Sequence, residues 1–275
     1  MFRIVDKKVL NSAVTSLTLE APFIAKKAKA GQFVIVRIDE KGERIPLTVS
    51  DYDAAAGTVT IVVQSVGLTT KMLAALGVGD SILDVVGPLG CPTEFGDAKR
   101  AIIIGGGVGC AIAYPQAKAL HNAGADVTVI AGFRSKDIVI LEDEMRDVSN
   151  SLYITTDDGS YGEKGLVTDV LKRLLDTGDY DLVIAIGPVI MMKFVALTTK
   201  PYGVKTIVSL NPIMIDGTGM CGGCRVKVDG KTKFACVDGP DFDGHLVDFD
   251  ELMRRNTLFR DEEAHACRLE AKCNG

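Results

Sequence analysis

The stretch Ile102-Ile103-Ile104-Gly105-Gly106-Gly107-Val108-Gly109 (IIIGGGVG) runs from an apolar segment directly into four glycines within five positions, and a helix-like segment, Cys110–Asn122, follows it. Glycines let a turn approach a pyrophosphate closely, and the N–H groups and dipole of a helix N-terminus favour its negative charge. A single glycine would indicate only a tight strand-to-helix turn. Four of them favour a nucleotide site at residues 105–109.

The complete dinucleotide fingerprint is not met. That fingerprint has the spacing Gly-x-Gly-x-x-Gly and an acidic residue at the end of the second strand. Here the spacing is Gly-x-Gly-x-Gly, and the second apolar run ends at Arg134. An ordinary NAD-dehydrogenase Rossmann domain is therefore disfavoured.

Residues 97–210, which surround this turn, alternate apolar runs with helical stretches. The expected strands are Ala101–Ile104, Val127–Ala131, Leu152–Thr155, Leu182–Ile186 and Thr206–Ser209. Continuous apolar strands joined by helical crossovers, such as Cys110–Asn122 and Val167–Leu175, predict a parallel sheet covered on both faces.

Residues 1–96 have a different pattern, of short strands separated by turns that contain Gly or Asp. The expected strands are Val14–Glu20, Gln32–Ile38, Pro46–Ser50, Thr58–Gln64 and Ser81–Val86. Such spacing predicts a small antiparallel barrel. A barrel followed by a parallel α/β sheet suggests a flavin together with a pyridine nucleotide, although fold alone does not decide function.

Two motifs within the barrel region suit a flavin. Arg44 opens the segment RIPLTVS (44–50), where an arginine can pair with a phosphate, and QSVGLTT (64–70) places Gly67 and hydroxyl groups before a helix. Each motif alone is weak. Arg44 is equally explained as a solvated residue at a sheet edge, and Thr69 as a helix N-cap.

Residues 211–275 form a third region, which is rich in glycine and cysteine and ends in a helix-like tail, Phe249–Arg268. Three of the seven cysteines follow the pattern Cys221-x2-Cys224-x11-Cys236, with glycines around the first two. Glycines allow the backbone to wrap a cluster and to donate N–H groups to sulfur. In a reducing compartment this grouping indicates a metal site rather than cystine.

The fourth metal ligand has more than one candidate. Plant-type [2Fe–2S] sites use Cys-x4-Cys-x2-Cys and a distant cysteine, and the first of these positions is Asp216 here. The set is then three thiolates and a carboxylate, unless Cys267 or Cys273 supplies a fourth thiolate. Zinc is the alternative metal, although a second Cys-x2-Cys pair is missing. Three unrelated buried cysteines are the remaining alternative.

The composition excludes several classes of protein. The 275 residues are 47% hydrophobic and 24% charged, which is typical of a folded globular chain, and the net charge of −5 argues against general nucleic-acid or anionic-membrane binding. The N-terminus has no apolar core of signal-peptide length, and the run 101–114 is too short to span a bilayer. We expect a cytoplasmic protein that binds neither nucleic acid nor membrane.

Through these motifs, the chain resembles the ferredoxin-reductase superfamily over essentially its full length. Within it the chain is similar to electron-transfer subunits of the dihydroorotate dehydrogenase type and, more so, to the small subunits of NADH-dependent reduced ferredoxin:NADP oxidoreductases. Besides RIPLTVS, GGGVG and the cysteine segment, the similarity rests on GPLG (87–90), TDDGSYGEKGLVTD (156–169) and GPVIMM (187–192). The aspartate at position 216 resembles the second type, because dihydroorotate dehydrogenase subunits typically have cysteine there.

The resemblance implies three cofactors, FAD, NAD(H) and a [2Fe–2S] cluster, and residues for each. It implies an FAD-binding barrel at 1–96, an NAD-binding α/β domain at 97–210 and a cluster segment with a C-terminal helix at 211–275. The implied flavin contacts are Arg44, Pro46, Leu47, Thr48, Val63, Gln64, Gly67, Thr69 and Thr70. The implied nucleotide contacts are Gly105, Gly106, Gly107, Val108, Gly109, Arg134, Asp157, Asp158, Gly159, Gly187 and Pro188. The implied cluster ligands are Asp216, Cys221, Cys224 and Cys236.

The implied function is electron transfer between NAD(H), FAD and the cluster, and onward to or from a larger subunit. That partner is expected to carry FAD and [4Fe–4S] clusters and to resemble the small subunit of glutamate synthase, with electron bifurcation in the pair. No catalytic acid or base is expected. A first alternative keeps the cofactors but serves dihydroorotate oxidation. A second is a zinc-stabilised nucleotide-binding regulator without redox turnover.

Overall fold

The computed structural model describes residues 1–258 together with Glu262 and His265. Its N-terminal part is a nearly closed antiparallel sheet with the strand order β6-β1-β2-β5-β4-β3-β7. The elements are β1 (Phe2–Val9), β2 (Val14–Glu20), α1 (Pro22–Ala25), β3 (Phe33–Arg37), β4 (Ile45–Asp53), β5 (Thr58–Gln64), α2 (Leu68–Ala75), β6 (Ser81–Ile82) and β7 (Asp84–Leu89). Alternate residues of β2 and β5, such as Leu17, Leu19 and Ile61, are fully buried inside it. The predicted barrel is confirmed.

The first strand was not predicted from the sequence. In FRIVDKKV only Ile4 is fully buried, so β1 lacks the alternation of apolar and polar residues that marks a half-buried strand. The strand forms because β2 and β6 pair with it on either side.

The second sheet is parallel except at one edge, and its order is β11-β10-β9-β8-β12-β13-β16. Its strands are β8 (Arg100–Gly106), β9 (Asp126–Phe133), β10 (Ser151–Thr156), β11 (Glu163–Lys164), β12 (Leu182–Ile186), β13 (Lys205–Ser209) and the antiparallel β16 (Asp241–Asp243). The helices between them are α3 (Gly109–Asn122), α4 (Glu142–Asp147), α5 (Val167–Thr177) and α6 (Val189–Thr199).

Both faces of this sheet are covered. Ile102 and Ile104 of β8 pack with α5 and α6 on one face, while Ile103 between them packs with α3 on the other. All three are fully buried, and burial of each stabilises the fold by roughly 1.5–3 kcal/mol. The continuous apolar run in the sequence therefore gives a two-faced central strand, and the predicted parallel α/β sheet is confirmed.

The C-terminal part is a hairpin followed by a strand that joins the second sheet. The hairpin consists of β14 (Arg225–Val228) and β15 (Lys231–Phe234), and α7 (Ala235–Asp238), β16 and α8 (Phe249–Arg255) follow it. The predicted tail helix Phe249–Arg268 begins at its expected residue but ends at Arg255, and residues 256–258 form a turn after it. Most of the rest of the predicted helix lies outside the described residues. In the described part of the chain, no helix has both the length and the apolar character needed to cross a bilayer.

Candidate functional site

The glycine turn after β8 lies at the carboxyl edge of the parallel sheet, against the turn after β12. A Cβ on Gly109 would lie 2.4 Å from the Ile186 carbonyl oxygen, and one on Gly106 would lie 2.5 Å from the Met191 sulfur. At Gly109 only glycine permits this approach, because the neighbouring atom is backbone. The chain leaves β8 towards β9 and later returns on its other side as β12, and in open α/β sheets a ligand crevice is expected at such a switch of direction. Gly105–Gly109 and the Gly187-Pro188 turn meet at this position.

The remaining residues expected at the nucleotide lie on the same edge. The backbone N–H of Asp157 donates to the Phe133 carbonyl at 3.0 Å, and that of Asp158 donates to the Arg134 carbonyl at 3.2 Å, so the ends of β9 and β10 are joined. The hydroxyl of Ser160 donates to the Asp158 carboxylate at 2.6 Å, and this bond lowers the pKa of Asp158. Asp158 is thus a fixed anion at the surface of this edge.

The barrel strand that carries RIPLTVS packs directly on the helix that follows the glycine turn. The buried Ser50 hydroxyl at the end of this motif donates to the Ala111 carbonyl oxygen at 2.7 Å. Ala111 is in the first turn of α3, and residue 115, which would donate to its carbonyl in a regular helix, is a proline without an N–H group. A barrel side chain therefore satisfies a carbonyl that the nucleotide-domain helix leaves without its usual donor.

Several residues expected at a flavin already have roles within the chain. Val63 is fully buried in the barrel core and presents no exposed surface. The Thr70 hydroxyl accepts from the backbone N–H groups of Val66 and Gly67 and closes the N-terminus of α2. The Thr69 hydroxyl donates to the Glu43 carboxylate at 2.8 Å. No sequence pattern pointed to Glu43, which lies beside the expected phosphate site.

A cavity of about 490 Å³ lies between the outer face of β3 and β7 and part of the loop that begins the cysteine segment. Its lining includes Arg44 on the barrel side and Asp216 and Cys221 on the other. The ion pair between Arg37 and Asp84 also faces it, and no sequence motif pointed to that pair. The structure thus brings the first residue of the flavin motif to the same space as two candidate cluster ligands.

The hairpin explains the spacing Cys224-x11-Cys236. Cys224 immediately precedes β14, and Cys236 is the second residue after β15. A tight Asp229-Gly230 turn, with φ of 50° and 69°, joins the two strands. Two positive φ values are typical of the hairpin turn that Asp-Gly favours. The register brings the ends together, so that the Cys236 N–H points at the Cys224 sulfur at 3.5 Å.

Asp216 and Cys221 form a second local pair, in the loop before the hairpin. The Asp216 carboxylate accepts the backbone N–H groups of Thr218 at 2.9 Å and Cys221 at 2.8 Å, and the first of these bonds is the main cause of its lowered pKa. Gly217 and Gly219, with φ of 75° and 83°, give the loop its turns. A Cβ on Gly217 would lie 2.6 Å from Leu89 of the barrel, so the loop lies directly on β7.

Within the described residues, no three His, Cys, Asp or Glu side chains converge as ligands of a single metal ion. The four candidates instead form the pairs Asp216–Cys221 and Cys224–Cys236, and the Gly219 N–H donates to the Cys236 sulfur across them. Burial of Cys236, with Cys224 beside it, raises the pKa of its thiol to about 12. Two neighbouring pairs suit a two-iron cluster, in which each iron takes two protein ligands, better than one tetrahedral zinc.

The other cysteines lie in different surroundings. Cys110 is fully buried in α3, and burial raises the pKa of its thiol to about 12. Cys91 is exposed, but its thiol donates to the Val237 carbonyl at 3.2 Å, next to Cys236. Cys267 and Cys273, the alternative fourth ligands, lie outside the described residues.

Comparison with known proteins identifies relatives for both the segment and the whole chain. The family described as the iron-sulfur cluster binding domain of dihydroorotate dehydrogenase B matches residues 211–248. A Thermotoga maritima homologue of the dihydroorotate dehydrogenase B (NAD(+)) electron transfer subunit is 50% identical, covering 94% of this chain and 92% of that protein. The corresponding subunit of Shouchella clausii is 35% identical, covering 82% and 89%.

A solved structure of the NADH-dependent reduced ferredoxin-NADP oxidoreductase, determined for flavin-based electron bifurcation, is also similar. It is 48% identical, covers 97% of this chain and 96% of that chain, and superposes with a TM-score of 0.92. The cytochrome b5 reductase domain of Ulva prolifera nitrate reductase, at 18% identity over 74% of this chain and 93% of that one and a TM-score of 0.62, shares the fold alone.

Proposed function

Because the chain belongs to the family of dihydroorotate dehydrogenase B electron-transfer subunits and their homologues, we propose that it moves electrons between NAD(H), FAD and a [2Fe–2S] cluster, to or from a larger flavoprotein subunit. The observation that carries the proposal is the cavity that Arg44 of the flavin motif shares with Asp216 and Cys221. It supports a relay because flavin and cluster would adjoin there.

When bound, the nicotinamide and flavin supply hydride exchange and the cluster supplies one-electron transfer; the chain binds and orients these groups. Residues 105–109 and the Gly187-Pro188 turn receive the nucleotide diphosphate and nicotinamide, since their close packing leaves backbone N–H groups as the available donors. Asp157, Asp158 and Gly159, together with Arg134, border the same crevice.

For the flavin, Arg44 supplies the positive charge for a phosphate, while Pro46, Leu47 and Thr48 offer the edge of β4. Gln64 offers an exposed contact at the end of β5, and the buried Val63 packs behind it. At the N-terminus of α2, Gly67 has no atom within 4 Å of the position of a Cβ and so leaves room for a ligand. Thr70 holds this helix end in place, and Thr69 borders it with its hydroxyl bound to Glu43.

For the cluster, we assign Asp216 and Cys221 to one iron and Cys224 and Cys236 to the other. The N–H groups that already point at the Cys221 sulfur, from Gly223, and at the Cys224 sulfur, from Cys236, stabilise thiolate charge. This arrangement predicts that Asp216→Ala weakens cluster retention and that Asp216→Cys retains a cluster with a changed spectrum. Unchanged spectra in both variants would assign the fourth ligand to another residue.

The partner proposed is a larger subunit with FAD and [4Fe–4S] clusters that resembles the small subunit of glutamate synthase, in a cytoplasmic complex of the ferredoxin:NADP oxidoreductase type. Two observations favour this type over dihydroorotate oxidation. One is the carboxylate at position 216, and the other is the identity of 48% to a structure of that enzyme, compared with 35% to the Shouchella clausii dihydroorotate dehydrogenase B subunit. Around the candidate ligands, Ile215, Met220 and Val237 are 51%, 88% and 43% exposed. Such apolar exposure is typical of a surface that a partner covers.

Anaerobic purification of the untagged complex tests the proposal, with visible and EPR spectra and mass spectrometry of the co-eluting chain. Flavin and [2Fe–2S] signals with a flavin–iron–sulfur partner are the expected result. A dihydroorotate-oxidising partner would keep the cofactor sites and move the function to pyrimidine synthesis. A colourless, zinc-containing protein would refute electron transfer and favour the regulator.

A further inference from the structure

Asp241 has no role in the sites described above, yet its carboxyl group lies where three parts of the chain meet. It begins β16, five residues after Cys236, and pairs with Ser209 at the end of β13. Its Oδ2 accepts a hydrogen bond from the Thr93 hydroxyl at 2.5 Å, in the connection between the barrel and the second sheet, and lies 3.5 Å from the amide nitrogen of Gln116 on α3. The Ser209 side chain lies near the same carboxyl and lowers its pKa.

Two oxygen atoms at this junction lack a donor. Asp241 Oδ1 and Gln116 Oε1 are both inaccessible to solvent and have no hydrogen-bond partner among the described residues. If Asp241 were ionised, both oxygens would be buried acceptors without a donor. This is unfavourable because each has lost its hydrogen bonds to water and gained none in the fold. A proton on Asp241 would make its carboxyl a donor beside the Gln116 amide group, whose nitrogen lies 3.5 Å from Oδ2.

Among the residues that the structure describes, no cation pairs with the Asp241 carboxyl. The side chains that reach its carboxyl are Thr93, Gln116 and Ser209, none of which titrates. The described ionisable groups on the elements packed around it have other contacts. Cys91 donates to Val237, Lys118 pairs with Asp51, Lys205 reaches the Glu94 carbonyl, and Asp243 contacts His245. His121 lies further along α3, and Lys29, two residues before the Gly31 that packs against the carboxyl, is exposed. Burial raises the pKa of Asp241 to about 6.

The backbone around Asp241 also joins the C-terminal segment to the other two parts. The Cys91 N–H donates to the Gly239 carbonyl at 2.6 Å, and the Leu210 N–H donates to the Pro240 carbonyl at 2.9 Å. These bonds flank the carboxyl, so the segment that carries Cys236 is held to the barrel connection and to β13 at one point.

We propose that Asp241 is a positioning residue that, in its protonated form, clamps the cysteine segment to the barrel connection and to α3, and that loss of its proton loosens this clamp. The clamp is a contact within the chain, so it does not depend on the function proposed for the cysteine segment. In the proposed function it fixes the cluster segment relative to the flavin barrel. The segment is then held most tightly at mildly acidic pH.

Hydrogen–deuterium exchange of the peptide around residues 240–244, measured on the assembled complex between pH 5 and pH 7 and corrected for intrinsic exchange, tests the clamp. With a native pKa near 6, the protection of this peptide in the parent should fall about tenfold over this range and level off above it. Asp241→Asn supplies a neutral side chain with both a donor and an acceptor, so it should show constant protection, at pH 7 above that of the parent. Asp243→Asn, on the same strand with an exposed carboxyl, is the matched control and should keep the parent's pH dependence.

An Asp241→Asn complex that exchanges faster than the parent at pH 7, or that keeps the parent's pH dependence, would overturn the proposal, because the ionised carboxylate would then make the stabilising contacts. Asp241→Ala removes both donor and acceptor and should lose protection at both ends of the pH range. If it does not assemble, the asparagine variant still decides the question.

Discussion

Ser50→Ala should loosen the contact between the flavin-motif strand and the nucleotide-domain helix. The Ser50 hydroxyl is buried and donates at 2.7 Å to the Ala111 carbonyl, for which Pro115 provides no helical N–H. The substitution leaves that carbonyl buried without its donor, so the free energy of unfolding should fall by about 1–3 kcal/mol. We would measure it by urea unfolding, after confirming equal flavin and iron content.

A double-mutant cycle isolates this hydrogen bond. Pro115→Ala restores a backbone N–H to the helix, and that group can satisfy the Ala111 carbonyl in place of the serine. Ser50→Ala should therefore cost at least about 1 kcal/mol less in the Pro115→Ala background than in the parent. Ser16→Ala, at a strand serine whose hydroxyl makes no hydrogen bond within the described part of the chain, is the control and should change little.

Equal costs of Ser50→Ala in the two backgrounds would refute this reasoning, because they would mean that the helix N–H and the serine hydroxyl do not serve the same carbonyl. A loss of flavin reduction by NADH in Ser50→Ala that Pro115→Ala restores would extend the result from stability to function. In that case the hydrogen bond would also set how the nucleotide domain faces the flavin.

Three further results are expected. Gly109→Ala should weaken NADH binding at least tenfold, as measured by titration calorimetry, since its Cβ would lie 2.4 Å from the Ile186 carbonyl oxygen. Gly178→Ala, whose Cβ would have no contact under 3.5 Å, is the control and should bind NADH as the parent does. Equal affinities of the two variants would contradict a nucleotide site at this turn. Cys224→Ser should lose [2Fe–2S] absorbance and Cys91→Ser should keep it, and loss in both would make Cys91 a ligand. Because the pKa of Asp241 rises from 3.8 to about 6 on folding, the free energy of unfolding should fall by about 2 kcal/mol between roughly pH 4 and pH 6 in the parent, relative to Asp241→Asn, as urea unfolding at each pH would report.

The features that the sequence predicted are those encoded by neighbouring residues. The bounds of β2, β5 and β12 agree with the expected strands, because each is a short apolar or alternating run ended by a turn. The strand β1 was missed since only Ile4 supplies a core residue, and α6 was recognised only as the motif GPVIMM. The spacing x11 between Cys224 and Cys236 could be counted, but its cause, a hairpin with an Asp-Gly turn, became visible only in the structure.

Contacts between distant residues could not be predicted in the same way. Ser50 and Ala111 are 61 positions apart, and Thr93 and Asp241 are 148 apart, and serine, threonine or aspartate at such positions carries no local pattern. The same limit applies to the cavity shared by Arg44 and Cys221, because no motif encodes which outer face of a barrel a later loop will cover.

The division between local and distant contacts also separates two kinds of mutational effect. The candidate cluster ligands form pairs five and twelve positions apart in one segment, so substitution there should remove the cluster while the distant flavin motif remains intact. Ser50 and Asp241 touch none of the proposed ligands and join parts of the chain to one another. Their substitution should therefore change the rate at which electrons pass between cofactors, at unchanged flavin and iron content. If a variant of either residue lost a cofactor to the same extent as it lost electron-transfer rate, the effect would be due to cofactor binding rather than to positioning.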